Sequence, residues 1–220
     1  MASEADIIKG FFQKDKDDKV KRYRHLNKYA KKGQILFTGS SLMEQFPINE
    51  ILQTRGLDKT IYNRGIGGYT MPEMLEAANE QIFDLEPSKI FINIGTNDIS
   101  IPDESIEKFT SDYERILDLI KEKLPNATVY MMAYYPINEK VASVQPWPGA
   151  ADAARLRKER LSKANEIVHS LAGKYGYNYI DVNDGLTDSS GQTKEEYSID
   201  GIHMWSDAYE IIFNNIQKYL

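Results

Sequence analysis

Five short apolar runs, spaced along the chain and separated by helical patterns, constrain this fold more than any other feature. They are QILFTG (34–39), TIYNRG (60–65), KIFINIG (89–95), TVYMMAYY (128–135) and YNYIDV (177–182). Each is rich in β-branched or aromatic residues, and the third and fourth are almost continuously apolar. Strands buried on both faces read this way, as in a parallel sheet covered by helices on either side. Between them, DESIEKFTSDYERILDLIKEKL (103–124) sets Ile106, Phe109, Tyr113, Ile116, Leu117 and Ile120 at helical spacing. Its start is expected at Pro102–Asp103 and its stop at Pro125–Asn126. A second long helix is expected over 152–176, closed by Gly173 or Gly176. A C-terminal helix is expected over 206–220 with Ser206 as N-cap. Shorter helices should follow Ser41 and Met71, and residues 4–31 also read as helical. Strand–helix alternation implies βαβ units. The expected architecture is a single α/β domain over 1–220, a three-layer α/β/α sandwich around about five parallel strands. The N-terminal segment 1–31 packs against it. The longest irregular stretch expected is 136–150, PINEKVASVQPWPGA, and such loops are often functional.

The chain has 220 residues and no cysteine, which removes disulfides, thiolate metal sites and a cysteine nucleophile. A formal net charge of -6 argues against a general nucleic-acid binder. The N-terminus does not read as a signal peptide, and no run approaches the roughly 18 apolar residues of a membrane span. The expectation is a cytoplasmic protein without stable membrane insertion. A homo-oligomer is compatible with the sequence but not specified by it.

Open parallel sheets bind ligands at the carboxyl ends of their strands. Four polar or glycine-rich segments follow strands: Thr38-Gly39-Ser40-Ser41, Asn63 to Thr70, Gly95-Thr96-Asn97-Asp98, and Ser198 to His203. Gly39 permits a sharp turn, after which a serine sits at a helix N-terminus whose free N–H groups can hold an oxyanion. The same serines serve equally well as plain helix caps. Of three histidines, His25 and His169 lie in helical stretches and read as surface or packing residues; His203 follows the last strand, three residues after Asp200. A serine nucleophile needs a base, and the base benefits from a carboxylate that orients its ring. Asn97 can aim an amide N–H at the same oxyanion, or simply occupy a turn.

Taken together, ILFTGSSL, YNRGIGGYT, INIGTND and DGIH resemble the four blocks of the SGNH (GDSL-like) hydrolases, a lipase/acylhydrolase family. The blocks run from residue 35 to 203, most of the chain. The resemblance implies a flavodoxin-like five-stranded fold and ester hydrolysis without cofactor or metal. It aligns Ser41, Asp200 and His203 with the catalytic triad, and the Ser41 and Gly68 amides and the Asn97 side chain with the oxyanion hole. Two positions depart from the pattern: Ser40 replaces the usual Asp before the nucleophile, and Tyr69 stands where the second block often has Asp. The resemblance leaves the ester open among lipid esters, thioesters, acetylated carbohydrates and aryl esters. The absence of a signal-peptide pattern favours a small-molecule ester, and the absence of a long exposed apolar segment favours acetyl or short acyl groups; Tyr69, Tyr134 and Trp147 are the expected pocket residues. Tyr134, Tyr135, Pro136, Pro146, Trp147 and Pro148 would form one pocket wall. Two other readings exist: a flavin-binding module with its phosphate on Thr38–Ser41, and a non-catalytic ligand-binding protein of flavodoxin-like fold.

Overall fold

The computed structural model describes residues 3–147 and 149–220; Met1, Ala2 and Pro148 of the expected pocket wall lie outside the described residues. Five parallel strands, β1 (Ile35–Gly39), β2 (Ile61–Asn63), β3 (Lys89–Asn93), β4 (Thr128–Met132) and β5 (Asn178–Ile180), form one sheet in the order β2-β1-β3-β4-β5. That is the flavodoxin-like order, which reverses direction between β1 and β3 and opens a crevice at their carboxyl ends. The register pairs Phe37 with Phe91 and Gly39 with Asn93, so the segments after β1 and β3 leave the sheet side by side.

Successive strand residues point to opposite faces, and two buried clusters result. Leu36, Ile90, Ile92, Val129 and Met131 join one cluster. It takes in α4 (Met71–Glu76), α6 (Ile106–Lys123) and α8 (Ala150–Tyr175) through Met74, Tyr113, Leu117 and Val168, with the short α5 (Ala78–Gln81) following α4. Phe37, Phe91, Met132 and Ile180 join the other. It takes in α2 (Ser41–Glu44), α3 (Ile48–Thr54) and α9 (Ser206–Ile216) through Leu42, Ile51, Leu52, Tyr209 and Phe213. Helices on both faces of a parallel sheet make the expected three layers. Each fully buried Leu, Ile or Phe contributes roughly 1.5–3 kcal/mol of transfer free energy.

Local details differ from the sequence reading for identifiable reasons. Ser105, not Pro102 or Asp103, caps α6, because its side chain accepts from the Lys108 N–H at 3.0 Å. Ile106 is consequently exposed at the helix start. Gly176, rather than Gly173, closes α8, at φ +73° with its N–H on the Ala172 and Gly173 carbonyls. Trp205, in extended backbone, precedes α9, and Ser206 is its first residue rather than its cap. The stretch 136–150 is not one loop: it contains α7 (Glu139–Ser143), capped by Asn138. The N-terminal helix α1 (Glu4–Leu26) ends five residues earlier than expected, and Asn27–Tyr29 continue it as a 3₁₀ turn. It meets the body from Lys16 onward, and residues 6–15 are exposed all round. Among the described residues no helix is long and apolar enough to cross a membrane.

Candidate active site

The chain leaves β1 through Gly39, at φ +150°, where a Cβ would lie 2.0 Å from the Asn93 carbonyl oxygen. Only glycine permits that approach, and it lets the Ser40 N–H donate to Asn93 O at 3.3 Å. Ser41 is therefore thrown up as the first residue of α2, with its N–H at the open end of the helix. Neither the Ser41 N–H nor the Gly68 N–H donates to an acceptor among the described residues.

His203 arrives from a tight turn before α9. The Asp200 carboxylate accepts from the Ile202 N–H at 2.9 Å and the His203 N–H at 2.7 Å, and its other oxygen lies 2.7 Å from His203 Nδ1. The other ring nitrogen, Nε2, lies 2.9 Å from Ser41 Oγ. Burial pushes the Asp200 carboxyl up, but the hydrogen bonds from His203 and Ile202 outweigh it and hold the pKa at about 2. The aspartate is thus ionised, and it fixes the tautomer that donates from Nδ1 and accepts at Nε2. Gly201, at φ +93°, sits against α7: a Cβ there would meet Asn138 O at 2.5 Å.

The second glycine-rich segment is clamped from beneath. The Gly67 N–H donates to Glu44 Oε2 at 2.5 Å, and Glu44 pairs with Lys19 of α1 at 2.8 Å. Gly67 lies beside the serine, for a Cβ built on it would be 3.8 Å from Ser41 Cβ. Thr70 and Glu73 form a capping box at the start of α4, and Lys16 of α1 pairs with Glu73 at 2.7 Å. Asn97 joins this segment to β3: its Nδ2 donates to the Tyr69 carbonyl at 2.8 Å. Asp98, the following residue, is buried and accepts from the Met71 N–H at 3.0 Å. Burial pushes its pKa up to about 6 against that hydrogen bond. Among the described residues no three His, Asp or Glu side chains gather as a metal ligand set.

The three expected pocket residues fare differently. Tyr134 is 1% exposed and its hydroxyl donates to the Ile94 carbonyl at 2.7 Å, so it is a core residue and not a pocket wall. Tyr135 is likewise buried. The Tyr69 ring is buried beneath the Lys16 ammonium, 5.6 Å from its centroid, and the Tyr69 carbonyl accepts from Asn97 Nδ2. Trp147 is half exposed between α7 and α8, and Ile199 and Trp205 are exposed on either side of Asp200 and His203. His25 and His169 stand apart on helix surfaces, His169 stacked on Tyr179.

Two site residues escaped the sequence reading. Glu44 carried no signal beyond its place three residues after Ser41. Arg157 had one: it lies on the apolar stripe of α8 with Ala154, Ala164, Val168 and Leu171, where a charge is out of place.

Comparison with known proteins bears on the fold and the family. A protein from Streptococcus pneumonia, provisionally described as a platelet activating factor, is 28% identical and superposes with a TM-score of 0.83, covering 98% of this chain and 97% of that one. A GDSL-like lipase from Bacteroides thetaiotaomicron is 20% identical, TM-score 0.72, over 91% and 96% of the two chains. An acetylxylan esterase from Geobacillus stearothermophilus is 13% identical, TM-score 0.64, over 85% and 94%. These last two share the fold. Among curated proteins, an Escherichia coli N-acylneuraminate cytidylyltransferase is 24% identical over 94% of this chain, which spans 46% of that protein's length. The model of the GDSL-like lipase/acylhydrolase family matches residues 47–211, starting just after Ser41 and including Gly68, Asn97, Asp200 and His203. With well over half its length matched and a fold shared with such proteins, the chain belongs to the GDSL-like lipase/acylhydrolase family.

Proposed function

We propose that the chain hydrolyses carboxylic esters of a small molecule, through an acyl-enzyme formed on Ser41. The observation that carries the proposal is the continuous relay Asp200–His203–Ser41, with contacts of 2.7 and 2.9 Å. In the first step Ser41 Oγ attacks the ester carbonyl and His203 Nε2 takes its proton. Asp200 stabilises the imidazolium. The oxyanion that forms accepts hydrogen bonds from the Ser41 and Gly68 N–H groups and from Asn97 Nδ2. As the tetrahedral intermediate collapses, the C–O bond to the alcohol breaks and His203 returns the proton to the leaving oxygen. Water then repeats the sequence on the acyl-enzyme, releasing the acid and restoring Ser41.

An acetyl or other short acyl group is the favoured substrate part. The side of the site next to Ser41 is bounded by Gly67 and the Glu44–Lys19 pair, polar neighbours unsuited to a long alkyl chain. Ile199 and Trp205, exposed on either side of Asp200 and His203, together with the half-exposed Trp147, are assigned to the alcohol part. The proposal takes the chain as one unit acting in the cytoplasm on a free ester, and leaves room for a homo-oligomer.

Hydrolysis of p-nitrophenyl esters from acetate to palmitate tests it. Wild type should turn over the short esters, falling off with chain length, and Ser41→Ala should be nearly inactive. Equal rates for the two proteins would remove Ser41 from the chemistry. A rate that climbs toward palmitate would remove the short-acyl reading. No turnover of any ester, with tight binding of one, would favour a non-catalytic ligand-binding protein.

A further inference from the structure

An asparagine serves an oxyanion only with its NH₂ end turned inward. A half-turn of the amide would aim the carbonyl oxygen at the developing negative charge, changing attraction to repulsion. The two ends have nearly the same shape, so hydrogen bonds must decide between them. Asn97 Nδ2 donates to Tyr69 O at 2.8 Å, which uses one of its two hydrogens. Its Oδ1 accepts from Arg157 Nη2 at 3.2 Å. A guanidinium has donors only, so it tolerates the oxygen and rejects the NH₂ group.

Arg157 is itself held in place. Its Nε donates to Ser100 Oγ at 3.0 Å, and the Ser100 hydroxyl donates to the Thr96 carbonyl at 2.8 Å. The side chain comes from the buried stripe of α8 and is 5% exposed. Among the described residues no carboxylate lies within 4.0 Å of it. Burial lowers its pKa to about 10, and the Asp200 charge works in the opposite direction. A buried cation without a paired anion is costly, and an apolar side chain would fill the same stripe of α8 at less cost.

We infer that Arg157 is a positioning residue of the ester-hydrolysing site, locking the Asn97 amide with Nδ2 toward the oxyanion through its contact with Oδ1. It touches no reacting atom and acts through Asn97. The inference rests on the oxyanion role proposed for Asn97. It predicts that removing Arg157 lowers turnover without weakening ground-state binding.

The test is a double-mutant cycle of Arg157→Met and Asn97→Ala on p-nitrophenyl acetate, alongside the ¹⁵N-resolved side-chain amide of Asn97. Loss of a full oxyanion donor costs roughly 10²–10³ in turnover, and Arg157→Met should cost about 10-fold or more of that in kcat, with KM little changed. The double variant should be no slower than Asn97→Ala alone, because without the amide Arg157 has nothing to orient. Arg157→Lys should recover part of the loss. Hydrogen exchange of the Asn97 side-chain amide should be faster in Arg157→Met than in wild type. Losses that multiply in the double variant, or an Asn97 amide unchanged by Arg157→Met, overturn the inference. Should Arg157→Met not fold, Ser100→Ala removes the Nε anchor instead and must show the same non-additivity with Asn97→Ala. If wild type hydrolyses no ester, the proposed function fails, and the Asn97 amide still decides whether Arg157 orients it.

Discussion

Replacing Asp98 by Asn should flatten the pH dependence of stability in a way that can be worked out in advance. Asp98 is 1% exposed, and its carboxylate accepts from the Met71 N–H, tying β3 to the start of α4. Burial is the larger influence; with the nearby Glu104 charge it outweighs the Met71 hydrogen bond and Lys108, and raises the pKa from 3.8 to about 6. Between those two values the folded protein binds more protons than the unfolded chain. Stability therefore falls as pH rises through that window, and the loss is complete above it. The gap between 3.8 and about 6 corresponds to about 3 kcal/mol. Asn is never ionised, and its Oδ1 keeps the acceptor for Met71. Asp98→Asn should then gain about 3 kcal/mol relative to wild type on going from pH 3.5 to pH 7.5. Urea unfolding of both proteins across that range measures it, because every other titrating group cancels in the difference. A difference that does not change with pH would refute the reasoning, as would one that grows toward acid.

Other changes have equally definite outcomes. Asp200→Asn should lower kcat on p-nitrophenyl acetate by roughly 10³–10⁴, since it removes the charge and disturbs the His203 tautomer while keeping the shape; a loss under about 10-fold would remove Asp200 from the relay. Gly201→Ala forces φ +93° on an L-residue and sets a methyl 2.5 Å from Asn138 O. It should cost more than about 1 kcal/mol in urea unfolding and lower activity as well, because the strained segment carries Asp200 and His203. Tyr134→Phe should destabilise by about 1–2 kcal/mol through the orphaned Ile94 carbonyl, with no change in ester preference. Tyr113→Phe should be neutral or stabilising, since the buried Tyr113 hydroxyl has no partner among the described residues; a shift in acyl preference on Tyr134→Phe would return that residue to the pocket.

The layers were readable because burial on both faces leaves a signature within each strand: Leu36 and Phe37, or Ile90 and Phe91, serve opposite clusters and are both apolar. Ser41 was readable because it comes just after Gly39 at the end of β1, whereas His203 stands well past the end of β5, in the turn before α9, so its place came from the DGIH block rather than from a strand end. Residues that act through partners distant in sequence were not. Glu44 reaches Gly67 across 23 positions and Arg157 reaches Asn97 across 60, and no local pattern announces either contact. Tyr134 was misjudged because a position just beyond β4 was equated with an open edge, whereas the chain there stays buried, between the Asn165 and Asn183 side chains that bond its backbone. Proline and tryptophan in 136–150 suggested a loop, and Asn138, whose side chain accepts from the Val141 N–H at 2.9 Å, was the cap that marked α7 within it.

The central claim, that Ser41 is an activated nucleophile, is tested most directly by reaction with a fluorophosphonate followed by intact-mass measurement and peptide mapping. The account predicts a single adduct on Ser41, absent in Ser41→Ala and formed much more slowly in His203→Ala. An unlabelled wild-type protein, or an adduct that persists in Ser41→Ala, would contradict it.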